Sequence, residues 1–287
     1  MLAFSVLALA VASAWLPDIR LSRRIVIAPW WLGLGAAIVV AMVEGVVRTP
    51  ALLGLALLSV SAWAATRGRA RAWWTVIAVV VALALALHIW PGFESWVVIE
   101  RARLSADAPP FTYHARFDKG AAGLLLLVFL TRRAATVTQW PYAFNRQSMV
   151  VLACTVATVI GLGLALGYVR PDPKWPAMAP AFLVFNLLLT CVAEEAFFRG
   201  VLQERCAAFV HARWGARWPA LLVTSVVFGA AHGAGGVALV VLATVASIGY
   251  GLAYETTRRI EPAIATHFCV NAAHFLGFTY PVLARAV

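Results

Sequence analysis

Apolar residues recur along the chain in runs separated by short polar connections. The runs fall at about 2–16, 25–47, 50–66, 73–93, 120–131, 149–169, 177–198, 218–232, 237–254 and 262–284. Most reach the ~17–25 residues that a helix needs to cross ~30 Å of hydrocarbon. A chain in lipid must satisfy its backbone hydrogen bonds internally, so runs of this length predict helices. The fifth is too short to cross untilted at ~1.5 Å per residue, and either takes in flanking residues or is re-entrant. A closed barrel would show short alternating segments instead, and the chain reads without them. The expected fold is an all-α, polytopic transmembrane helical bundle of about 8–10 membrane helices.

Composition agrees: 63% of residues are hydrophobic and 12% charged, and the mean hydropathy is +0.86. The net charge of +11 would suit nucleic acid, but the basic residues are scattered between apolar runs, where they set topology instead. They concentrate in the connections 17–24, 67–72, 132–148, 199–217 and 255–261, which include Arg20, Arg23 and Arg24. The positive-inside rule puts those connections in the cytoplasm and both termini outside. The first run ends in Ala12-Ser13-Ala14 with no preceding positive charge, the pattern of an N-out membrane helix and not of a cleaved signal. Cys154, Cys191, Cys206 and Cys269 show no paired spacing and read as small hydrophobes.

The polar clusters all lie beyond residue 147. The chain therefore divides into N-terminal transmembrane helices, 1–147, without a motif, and a motif-bearing membrane domain, 148–287. In the first part Glu44 is followed by Arg48 at helical i,i+4 spacing, which predicts a structural ion pair. His88, His114 and His211 lie near span ends or in connections and read as incidental.

Glu194 and Glu195 stand inside the apolar stretch 183–198, with Arg199 one turn later. A charge at the centre of a membrane helix costs roughly 3 kcal/mol or more, so such residues mark function by default. Glu195 and Arg199 are i,i+4 neighbours in the favourable order and should pair. Glu194 points about 100° away around a helix of 3.6 residues per turn; poorly solvated, it suits a general base or acid. The alternative is a buried structural network of all three charges. Phe228 and His232 stand one turn apart before a glycine-rich break at 233–236, and His232 alone would be a structural hydrogen-bond partner. His267, Asn271 and His274 share one helix face, and Asn271 or His267 can donate to a developing oxyanion; His274 reads as the bystander. If 199–213 continue the preceding helix and the chain turns near Gly215, His232 returns level with Arg199. Glu194 then lies about 7 Å away along the axis.

In this order, Glu194-Glu195-x-x-x-Arg199, Phe228-x-x-x-His232 and His267-x-x-x-Asn271 resemble the CPBP family, the CAAX prenyl protease type II and bacteriocin-immunity-related intramembrane proteases. The resemblance covers roughly 148–284, with every motif residue present. It implies an intramembrane endopeptidase acting on a membrane-associated protein or peptide. Glu194 with His232 would activate water, His267 and Asn271 would stabilise the tetrahedral intermediate, and Glu195, Arg199 and Phe228 would support them. It also implies glutamic-type catalysis without an obligate cofactor. The alternative is a divalent metal such as zinc on Glu194, His232 and His267, but the His-Glu-x-x-His motif is absent and asparagine is a poor zinc ligand.

Two other function classes compete. A non-catalytic immunity or peptide-binding membrane protein could use the same fold. A proton-coupled transporter would spread its polar residues over several helices and both depths, whereas here they cluster after residue 147. The expected partners are a membrane-anchored protein or peptide substrate and the lipid bilayer, with no nucleic acid. The expected location is a bacterial inner (cytoplasmic) membrane.

Overall fold

The computed structural model describes residues 1–22 and 25–284; Arg23 and Arg24, counted above in the first basic connection, lie outside the described residues. Each apolar run holds a helix. In order these are α1 (Leu2–Ala12), α2 (Pro29–Val43), α3 (Thr49–Ala64), α4 (Arg71–Ala86) and α5 (Phe117–Leu130). Then come α6 (Arg146–Ala165), α7 (Ala179–Arg213), α8 (Trp218–Ala230), α9 (Gly236–Thr257) and α10 (Glu261–Gly277). Proline stands in the first turn of α2, α3, α8 and α10, where its missing N–H removes no helical hydrogen bond. By length and composition α6, α7 and the stretch Gly233–Thr257 can cross a membrane, and shorter apolar helices accompany them. Large apolar side chains stand exposed on these helices, Val237 at 81% and Leu53 at 67% among them, as lipid-facing positions require. The protein is an all-α helical membrane protein.

Between α4 and α5, β3 (Ser95–Ala102) and β4 (Phe111–Arg116) pair in a two-stranded sheet, as do the two-residue strands β1 (Ile19–Arg20) and β2 (Val26–Ile27) between α1 and α2. Phe111-Thr112-Tyr113-His114 alternates half-buried and exposed, the period of two that a strand imposes. One expectation changes: Glu44 and Arg48 do not pair. Helix α2 ends at Val43 and Gly45 turns the chain at φ +74, so residue 48 is not one helical turn beyond residue 44. Glu44 instead accepts from the nitrogens of Met1 and Ala3, and Arg48 bonds Glu94.

The chain forms two compact units, each drawing segments from both sides of residue 147. Unit 1 comprises Met1–Val97, His114–Trp140 and Val184–Val201; unit 2 comprises Val98–Tyr113, Pro141–Leu183 and Leu202–Val287.

At the centre of unit 1 lies α5, the run too short to cross the bilayer. Its residues Phe117, Asp118 and Gly120–Leu127 are buried, and it packs against α1, α3, α4 and the 186–195 part of α7. A helix apolar on every side belongs in such a core. The contact with α7 is close because α5 carries glycine there. A Cβ on Gly123 would stand 2.4 Å from the Ala193 Cα, and one on Gly120 would meet Leu189 and Leu7 at 2.9 and 3.0 Å. Small residues that let backbones approach are the usual means of holding helices together in lipid.

In unit 2, α9 contacts α6, α8 and α10. Helix α6 opens with a capping box between Asn145 and Ser148, which satisfies two otherwise orphaned N–H groups. Helix α7 ends at Arg213, and Gly215, at φ +66, turns the chain into α8. That turn is tied to the end of α9 by ions: Arg217 bonds Glu204 and Glu255, and Arg258 bonds the same two carboxylates. Elsewhere in the unit, residues 170–174 pair with the chain leaving α10. The Asp172 and Lys174 N–H groups donate to the carbonyls of Gly277 and Leu276, and the Thr279 N–H to that of Arg170. Phe182 and Phe275 stack beside this clamp at 3.9 Å.

Candidate active site

The local helix geometry around the paired acids departs from a regular α-helix. Glu194 and Glu195 sit on a single α-turn, Val192–Glu195, between π-helical stretches Asn186–Cys191 and Ala196–Gln203. Wide turns of this kind recur at functional sites in helices. Within unit 1, Glu195 and Arg199 form the pair their spacing predicts, with Arg199 Nη1 donating to Glu195 Oε1 at 3.2 Å and neither side chain exposed. Two charges withdrawn this far from solvent must compensate each other.

Glu194 has a partner the motif does not contain. Lys119, in the first turn of α5, donates from Nζ to Glu194 Oε1 at 2.6 Å, with both side chains mostly buried. The next residue back, Asp118, is fully buried and bonds the His88 ring at Nδ1, 2.5 Å away. His88 is therefore no incidental histidine, since it answers a buried carboxylate. The only sequence signal for either contact was a charged pair, Asp118-Lys119, abutting an apolar run.

Unit 2 gathers the remaining motif residues around one cavity. His232 lies just past the end of α8, and its Nδ1 stands 2.8 Å from the Phe228 carbonyl oxygen. A carbonyl only accepts, so in the neutral ring Nδ1 carries the proton and Nε2 presents its lone pair. The spacing Phe228-x-x-x-His232 thus fixes a tautomer as well as a ring contact, the two centroids being 4.8 Å apart. On α10, His267 is 4% exposed. Its ring stacks on Tyr250 of α9 at 4.5 Å and meets the Phe228 ring edge-on at 5.8 Å. Tyr250 was not among the expected site residues, and a tyrosine in an apolar helix gives no signal of what it faces.

The cavity measures about 140 Å³, and Phe228, His232, Tyr250, His267, Asn271 and His274 line it. The rest of the lining is apolar, Val159, Gly163, Leu242, Ala243, Ala246 and Val270 among it. One water needs only ~10–15 Å³ of such space, so water and a substrate side chain can both enter. His274, read as a bystander, shares the lining while its Nε2–H donates to the Thr279 carbonyl at 3.2 Å.

For a metal, His232 is oriented as well as it is for a proton, since a ligating histidine also donates its other N–H to a carbonyl. Within either unit, among the described residues, no three His, Cys, Asp or Glu gather to hold one. Of the three imidazoles lining the cavity in unit 2, His274 spends its Nε2–H on the Thr279 carbonyl; His232 and His267 remain, where a catalytic zinc takes three protein ligands.

Residues 175–273 match the family model described as Rce1-like, type II CAAX prenyl endopeptidase Rce1-like. This segment is similar to the CAAX protease family. Every motif residue from Glu194 to Asn271 falls inside the Rce1-like segment, while Lys119 and His274 lie outside it. No curated protein and no solved structure matches the chain. The family supports an intramembrane protease in general terms.

Proposed function

We propose that the protein is an intramembrane endopeptidase that hydrolyses a peptide bond of a membrane-associated protein or peptide. The observation that carries this reading is the wet-sized cavity of unit 2, into which His232 turns an imidazole of fixed tautomer beside His267 and Asn271. In the reaction, Glu194 and His232 take the proton of a water whose oxygen bonds the scissile carbonyl carbon. His267 and Asn271 donate to the resulting oxyanion, worth roughly 3–4 kcal/mol for one well-placed donor. Collapse of the tetrahedral species breaks the C–N bond, and the leaving nitrogen receives the proton. Glu195, Arg199 and Phe228 hold these groups in place. If zinc is used, Glu194, His232 and His267 are the residues that would hold it, and it would polarise the carbonyl or bound water. The bilayer and a membrane-anchored substrate are the partners, and a bacterial cytoplasmic membrane is the proposed location.

The test is cleavage of a tagged membrane-peptide library in liposomes by wild type and Glu194→Gln, with and without chelator. Cleavage by wild type alone that survives chelation supports glutamic catalysis. Loss on chelation moves the site to the metal reading. Binding without turnover by either protein favours the immunity or peptide-binding alternative.

A further inference from the structure

Glu194 is the residue on which the proposed reaction turns, and the cation that meets it comes from outside the Rce1-like segment. Lys119 Nζ lies 2.6 Å from Glu194 Oε1, a charge-assisted contact between residues 75 apart in the sequence. Its side chain is 22% exposed and that of Glu194 is 17%.

The contact rests on a rigid frame. Gly120 and Gly123 bring the α5 backbone against Leu189 and Ala193, so the turn carrying Lys119 and the turn carrying Glu194 have little freedom to slide. The Lys119 N–H donates to Asp118 Oδ1 at 2.8 Å, and Asp118 is itself held by His88. The lysine thus projects from a turn fixed on both sides.

The neighbouring acid shows what a different cation does. Glu195 is bound by an arginine of its own helix and is fully enclosed. Glu194 has a lysine, a compact charge on a flexible stem, where arginine would offer a planar fork able to take both carboxylate oxygens. An ionised carboxylate has about four acceptor sites, so one lysine bond anchors it without exhausting its capacity to receive a proton.

We propose that Lys119 is a positioning residue for Glu194, holding the carboxylate where it meets the attacking water. This rests on the protease reading above. It gives α5 a part in the reaction although the family match begins only at residue 175.

The experiment uses the full chain in liposomes and has two arms. The first is a thermal double-mutant cycle of Lys119→Met and Glu194→Gln. The second is steady-state cleavage, per folded molecule, by wild type, Lys119→Met and Lys119→Arg. If the pair forms, the two stability effects are non-additive. If Lys119 positions the base, Lys119→Met lowers kcat by about 100-fold with KM nearly unchanged. Lys119→Arg then restores about a tenth of the wild-type rate or more, because a displaced cation still reaches the carboxylate. Lys119→Gln serves if the methionine variant does not fold. Additive stability effects overturn the pairing, and wild-type kcat in Lys119→Met overturns the positioning role. A wild type that cleaves nothing overturns the protease reading and the positioning role with it, while the cycle still decides the pair.

Discussion

The ring of Tyr250 lies nearly parallel to that of His267, with centroids 4.5 Å apart and planes at 12°. Both are buried, and Phe228 closes on the same histidine from its edge. A rotation of the imidazole must displace one of these rings. Preorganised donors lower a barrier because they need no reorientation as charge develops, and the stack supplies that fixity. Tyr250→Leu should lower kcat for peptide cleavage about tenfold, since a loosened donor loses part of the ~3–4 kcal/mol it can contribute. It should also cost about 1–3 kcal/mol of stability as a buried large-to-small change. Kinetics and thermal unfolding in the same detergent check both.

The α5–α7 seam makes a second prediction. A Cβ at Gly123 would be 2.4 Å from the Ala193 Cα, and backbone cannot yield as a side-chain end can. Gly123→Val should destabilise by about 1–3 kcal/mol or more and abolish cleavage, because the strain falls on the residue before Glu194. Gly161, with nothing within 4 Å of its would-be Cβ, is the control. Gly161→Ala should be neutral or stabilise by up to about 1 kcal/mol. Melting temperatures of the two variants decide it.

The positions of the helices were legible because apolar length is written directly in the chain, and the Glu195–Arg199 pair because four residues is one helical turn. The same rule failed at Glu44 and Arg48, where the helix stops before the second residue is reached. The wide turns either side of Val192–Glu195 were not legible, since an i→i+5 bond has no residue signature. Lys119 and Tyr250 were missed for another reason. Each acts on a residue distant in sequence, and an Asp118-Lys119 pair before an apolar run or a lone tyrosine within one carries no spacing to read. The motifs displayed the chemistry, while the groups that hold it in place came only from packing.

Acid should loosen the clamp beneath α10. The Asp172 carboxyl is held below its usual 3.8 by a hydrogen bond from Ser105, against the opposing effect of burial, with help from Lys174. A group whose folded value is depressed binds its proton more readily in the unfolded chain. Its contribution is complete above the usual value and is lost as pH falls through the folded one. Asp172→Asn should therefore melt below wild type at neutral pH, and the difference should shrink progressively below pH 3.8. Thermal scans from neutral pH to below that value follow it; a gap that persists in acid would assign the effect to lost hydrogen bonding alone.

The cavity wall makes the last prediction. Ala243 and Ala246 line the same space of about 140 Å³ as the motif histidines, so their size sets how much of it a substrate can use. Ala243→Phe adds a ring where the wall was a methyl group, at a strain of about 1–3 kcal/mol. Water still reaches His232 from what remains, so small residues next to the scissile bond should still be cleaved. Peptides with a large side chain there should lose kcat/KM by about 10- to 200-fold or more, since a single methylene already allows that discrimination in an apolar pocket. Matched peptides differing only at that residue, cleaved by wild type and Ala243→Phe, check it. Equal losses for small and large residues would mean that the side chain enters elsewhere.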